Sequence, residues 1–169
     1  MAKLDPADPL PVLGQARLEV KRDRYPKAIA CYERYVQAVP SDPRGWYELG
    51  EALYEAGRDG KNAQDRALEL MPLSDDPYVL AVHARVHTRR GRYEQAGALY
   101  EQALRGGVEN LNLACDYAYF LRLSRQDEKE QFLLRRILAA HPGAMRPRRL
   151  LASALIRERR YGEAAALLR

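Results

Sequence analysis

The sequence predicts an all-α protein built from stacked helix pairs, and three observations predict it. Small residues stand at Ala16, Gly50, Ala84, Ala118 and Ala152, each 34 positions from the last. A second pattern recurs at twice that period: Arg24-Tyr25-Pro26-Lys27-Ala28, Arg92-Tyr93-Glu94-Gln95-Ala96 and Arg160-Tyr161-Gly162-Glu163-Ala164. Proline or glycine punctuates the blocks so defined, at Pro40, Pro43, Pro77, Gly91 and Pro142. Fixed self-similarity at this period marks a stacked helical array rather than a single globular core. Chains of that kind hold other molecules and do no chemistry of their own.

The elements follow in order. Residues 1–8 read as an N-terminal extension, and the array as a single domain over 9–169. Block one, 9–42, has a second helix that starts near Tyr25 and ends before Val39-Pro40, where proline cannot continue it. Block two, 43–76, opens at Pro43 and carries Trp46, Leu49, Gly50, Leu53 and Tyr54 at helical spacing. Block three, 77–110, opens at Pro77 and stops its first helix at Arg90-Gly91, where glycine suits a left-handed cap. Block four, 111–144, closes at His141-Pro142-Gly143. Block five, 145–169, begins at Met145 and is incomplete.

Trp46-Tyr47-Glu48-Leu49-Gly50-Glu51-Ala52-Leu53-Tyr54 resembles the first helix of the tetratricopeptide repeat, with its aromatic, Leu-Gly and Tyr positions. The run Arg92-Tyr93-Glu94-Gln95-Ala96-Gly97-Ala98-Leu99-Tyr100-Glu101-Gln102-Ala103-Leu104 resembles the second. The resemblance covers about residues 9–169. It implies a right-handed superhelical solenoid of antiparallel helix pairs, in which the small residues let the helices of a block approach closely.

Three blocks depart from the pattern. Block two reads as two residues short between its helices, at Arg58-Asp59-Gly60-Lys61-Asn62, with register regained in the exit loop Leu73-Ser74-Asp75-Asp76. Its second helix is therefore expected to be short and weakly packed. Block three has Gly106-Gly107 in place of a closing proline. Block four has Glu130 where a small residue belongs, which predicts looser pairing. At the N-terminal edge, Gln15 and Glu19 replace apolar residues and suggest a polar outer face. The last helix, Ala164-Ala165-Ala166-Leu167-Leu168-Arg169, is apolar and short; either the natural protein continues or another chain packs there.

Composition narrows the class. Hydrophobic residues at 47% and charged residues at 30% describe a folded protein. No apolar run approaches the ~20 residues of a membrane helix, so membrane insertion is not expected. The opening Met-Ala-Lys-Leu-Asp-Pro lacks the apolar stretch of a signal peptide. This predicts a cytoplasmic protein, or a periplasmic one if the chain is a piece of an exported protein. Arginine over lysine and abundant alanine point to a bacterial source. Cys31 and Cys115 are expected to be free thiols. A disulfide needs Cα atoms within roughly 7 Å, packed helices lie about 8–10 Å apart, and several helices should separate the two residues.

Catalysis finds no support. His83 and His87 share one helix face, but two ligands are too few for zinc and both fall at interior positions. Cys115 sits on a first helix with no base in sequence reach. Gly106-Gly107 lacks the lysine and strand of a phosphate loop. Neither metal nor cofactor is expected, and the chain reads as a non-catalytic scaffold.

Residues 145–169 hold seven Arg against two Glu, while 1–144 balance. A like-signed cluster attracts anionic partners. The family resemblance places ligands against the inner faces of first helices. That register gives a partner-binding set of Arg17, Tyr47, Tyr54, Tyr78, Arg85, Arg89, Tyr119, Arg122, Arg146 and Arg149, on a face where acids are not expected from Arg85 onward. Arg forks carboxylates and Tyr supplies rigid contact area, so the expected partner is an acidic or extended protein segment. The family's Lys/Asn clamp for chaperone tails is absent, since Ala81, Asp116 and Leu150 stand at key positions. The alternatives are polyanion binding at block five, to nucleic acid or an acidic polysaccharide, and self-association through the C-terminal repeat. Either would suit an assembly component of a bacterial secretion, pilus or polysaccharide-export system.

Overall fold

The computed structural model describes residues 9–105, 107 and 109–168. The proposed extension, 1–8, lies outside them. Among the described residues there are ten α-helices: α1 (Leu10–Lys21), α2 (Tyr25–Ala38), α3 (Pro43–Glu55), α4 (Lys61–Leu70), α5 (Pro77–Arg89), α6 (Tyr93–Ala103), α7 (Leu111–Leu123), α8 (Asp127–Ala140), α9 (Met145–Arg157) and α10 (Tyr161–Leu168). They form five antiparallel pairs. The chain divides into two compact units, the first ending at Leu73 with α1–α4 and the second starting at Ser74 with α5–α10.

Three of the five first helices, α3, α5 and α7, begin at a side-chain cap. Asp42 accepts a hydrogen bond from the Arg44 backbone N–H at 3.0 Å, and Asp76 from those of Tyr78 and Val79 at 2.7 and 3.3 Å. Asn110 accepts from that of Leu113 at 3.2 Å. Each satisfies a backbone donor that the helix leaves unpaired. Pro43 and Pro77 follow two of these caps, where the missing N–H costs nothing. The equivalent position before α9 is Ala144, with extended backbone and no side-chain bond.

The turn inside every pair is the same device. Asp23, Gly57, Gly91, Arg125 and Arg159 all have positive φ, between 56° and 71°. The next residue's N–H then reaches back five positions: Arg24 to Glu19, Arg58 to Leu53, Arg92 to His87, Gln126 to Leu121 and Arg160 to Leu155, at 2.8–2.9 Å. This is the closing bond of a Schellman cap.

The small-residue comb lies at the helix contacts. Ala16, Ala84 and Ala118 are fully buried, Ala152 nearly so. Opposite them the fourth residues of the second helices are Ala28, Gln64, Ala96, Glu130 and Ala164, all buried. Larger side chains complete each core: Leu13, Ile29, Tyr32 and Leu49 in the first unit; Leu80, Tyr100, Phe120, Leu134 and Leu151 in the second.

Several expectations are corrected. The connection inside block two is not short. It spans residues 56–60, two residues longer than the three-residue turns of the other pairs. Helix α4 is indeed short, at 10 residues, but it packs closely. A Cβ at Gly60 would lie 2.3 Å from the Gly50 carbonyl oxygen, and one at Gly50 would lie 2.7 Å from the Gln64 side chain. Both glycines are therefore required, and they make room for the fully buried Gln64, which donates to Glu51 at 3.0 Å. Glu19 is not on an outer face but buried, with Gln15 donating to it at 3.0 Å and Arg22 and Arg24 within 3.6 and 3.8 Å. Glu130 is likewise enclosed, paired with Arg157 of α9. Of Gly106-Gly107, Gly106 lies outside the described residues.

Candidate functional site

In the first unit the predicted contact residues are largely occupied. Arg17 forks Glu48, its Nε donating to Oε2 at 2.9 Å and its Nη2 to Oε1 at 2.6 Å, while the Tyr32 hydroxyl donates to Oε2 at 3.0 Å. The bonded carboxylate raises the Arg17 pKa, and burial beside Glu48 raises that of Tyr32. Tyr47 is a correction: it is buried in the core and offers no contact area. It stands on the expected helix, α3, but its position turns inward. Tyr54 is half-buried, its ring beside Gly60.

In the second unit three parallel first helices, α5, α7 and α9, are tied side by side. Asp116 of α7 accepts from Arg85 of α5 through one oxygen, and from Arg146 of α9 at 2.7 Å through the other. Arg146 also reaches Asn112 at 3.4 Å. This overturns the expectation of an acid-free face: Asp116 sits in its centre and takes up two of the predicted arginines. Arg89 and Arg149 are exposed on the flanking helices. Tyr78 and Tyr119 are each about two-fifths exposed, and the Arg122 guanidinium lies 4.6 Å over the Tyr119 ring.

The ion pairs show a signal the sequence reading missed. Arg17–Glu48 and Arg85–Asp116 are 31 residues apart, Asp116–Arg146 and Asp127–Arg157 are 30. That separation is one repeat less about one helical turn, which in the first three pairs sets side chains of neighbouring parallel helices against each other; Asp127–Arg157 instead joins the start of α8 to the end of α9. Searching for opposite charges at that spacing finds Asp116.

Cys115 is fully buried, and burial pushes its thiol pKa up. Cys31 and Cys115 are both free. His83 and His87 are half-buried. Burial, with Arg92, His83 and Arg90 nearby, lowers the His87 pKa from 6.5. Among the described residues no group of three or more His, Cys, Asp or Glu could hold a metal ion, and no helix is long and apolar enough to cross a membrane.

Repeated helix pairs, a shared small-residue contact and a side-by-side row of first helices define an α-helical repeat protein. Residues 13–75 match the family model of the tetratricopeptide repeat. Solved structures extend the likeness over almost the whole chain. The chain is similar to TTC0263, a thermophilic tetratricopeptide repeat protein of Thermus thermophilus, with a TM-score of 0.74 at 20% identity, covering 95% of this chain and 88% of that one. PilW, a widely conserved type IV pilus biogenesis factor, gives 0.69 at 16%, covering 97% and 76%. YrrB, a repeat protein with an unusual peptide-binding site, gives 0.53 at 13%, covering 97% and 84%. No curated protein matches the sequence. Residues 13–75 thus carry the tetratricopeptide repeat, and the solved structures show the same helical-repeat fold over nearly the whole chain.

Proposed function

We propose that this chain is a protein-interaction module whose second unit takes an acidic, extended segment of a partner protein along the first-helix faces of α5, α7 and α9. The observation that carries the reading is the row of cations and tyrosines on those faces. Arg89 and Arg149 flank it exposed, Arg85 and Arg146 meet at Asp116, and Tyr78 and Tyr119 supply half-open aromatic surface. Charge supports the same unit. Residues 74–169 carry seventeen basic against eleven acidic side chains, and residues 1–73 carry eleven against twelve. The unusual peptide-binding site of YrrB, a chain of the same fold, adds support.

The test is fluorescence anisotropy with short labelled peptides rich in Asp and Glu, against the wild type and the Arg89→Glu/Arg149→Glu variant. Charge reversal at two rim positions is expected to weaken binding roughly tenfold or more, and added salt to weaken it further. Circular dichroism should stay unchanged. Equal affinity for both proteins, or equal binding of neutral and acidic peptides, rejects the reading.

A further inference from the structure

The turn ends of α7 and α9 border a cavity of about 410 Å³, lined by Arg122, Arg125, Asp127, Ala154, Arg157 and Glu158. The size falls within the ~300–1,000 Å³ range of small-molecule sites. Its wall carboxylates are already satisfied. Arg157 donates to Asp127 at 3.4 Å and to the buried Glu130 behind it. Glu158 accepts from Gln131 and, at 3.2 Å, from Arg160.

Two arginines of the wall are spent differently. Arg122 stacks on Tyr119, which fixes the guanidinium plane and uses none of its N–H donors. Arg125 is the left-handed residue of the α7–α8 turn, at φ +60°. Neither makes an ion pair with another described residue. Glycine stands at the same turn position in two other pairs, as Gly57 and Gly91. The backbone there would favour glycine, yet the chain places an exposed guanidinium at the rim of a half-open cavity.

We propose that this cavity is an oxyanion site, taking one carboxylate or phosphate group between Arg122 and Arg125. The planar forks of two guanidiniums match either group. The proposal is independent of the acidic-segment reading, because it concerns one oxyanion and the turn residue Arg125.

The test is a titration of the full chain with inorganic phosphate and, separately, with succinate, followed by NMR of the arginine Nε–H signals. Saturable shifts at Arg122 and Arg125 are expected, with Arg148 and Arg149 little changed. Saturation by phosphate alone assigns a phosphate ligand, by succinate alone a carboxylate, and by both the shared chemistry. Arg125→Gly keeps the turn, since glycine suits that φ, and should weaken saturation at least tenfold. Linear shifts common to all arginines, or a titration unchanged by Arg125→Gly, overturn the proposal. A null titration beside intact peptide binding removes the oxyanion site alone. The reverse result removes the groove reading alone.

Discussion

His87 places an imidazole where the equivalent residues of the next two pairs are Leu121 and Leu155, both buried. Its Nδ1 is buried without a hydrogen-bond partner among the described residues. Burial and the nearby Arg92, His83 and Arg90 favour the neutral ring and hold its pKa below 6.5. The unfolded chain therefore binds this proton more readily. Stability that His87 supports above its unfolded pKa is lost as pH falls through the lower folded pKa. Glu130 works in the opposite sense. Burial raises its pKa above 4.5, so its contribution fades as pH rises through that higher value. Urea unfolding of the wild type and His87→Leu between about pH 7 and 5 separates the two. The variant should lose less stability on acidification, and parallel curves would contradict the assignment. Little of this is legible in the sequence: the interior placement of His87 follows from periodicity, but the arginines around it come from the turn that follows its helix, which folds back beside it.

At the scale of the element, the first helices are legible because proline and glycine mark their ends. Their caps, spaced one repeat apart at Asp42, Asp76 and Asn110, are harder to see because the chemistry recurs in two residue types. Ala144 breaks that series with backbone already in the cap conformation. Ala144→Asp should stabilise α9 by about 1 kcal/mol, seen as a higher midpoint in thermal or urea unfolding. An unchanged or lower midpoint would refute the cap argument. The long connection of block two is hidden for a different reason. Its total length stays at one repeat, so two extra turn residues are masked by a helix that starts later and is shorter. Among the left-handed turns of the pairs, the sequence announces two with glycine, Gly57 and Gly91. At Asp23, Arg125 and Arg159 it carries no glycine, and the cap geometry alone imposes the positive φ. A non-glycine residue there costs about 1–2 kcal/mol of backbone strain, which the closing hydrogen bond and packing around the turn must offset.

At the scale of the whole molecule, charge and contact surface divide between the units. The first unit is near electrical balance and buries or pairs its predicted site residues, Tyr47 and Arg17 among them. The second carries the positive excess, with Arg89 and Arg149 exposed on its first helices. Hydrogen exchange with a bound acidic peptide should slow in α5, α7 and α9 and stay unchanged in α1–α4. Protection spread over both units would argue against a site confined to the second. Counting charges along the sequence locates that excess; locating the counter-charge on the same face requires knowing which side chains of successive repeats stand together.

Asp116 gives that face a threshold. A ligand bearing a single carboxylate would exchange one acid for another at Arg85 and Arg146, and such a swap returns almost no net free energy. If the proposed acidic-segment reading holds, gain would come from anions that extend beyond Arg85 and Arg146 to Arg149, and the row would then discriminate by the number and spacing of charges along the ligand. On that reading an isolated acidic residue on an unrelated protein would pass it by, and a run of them would be held.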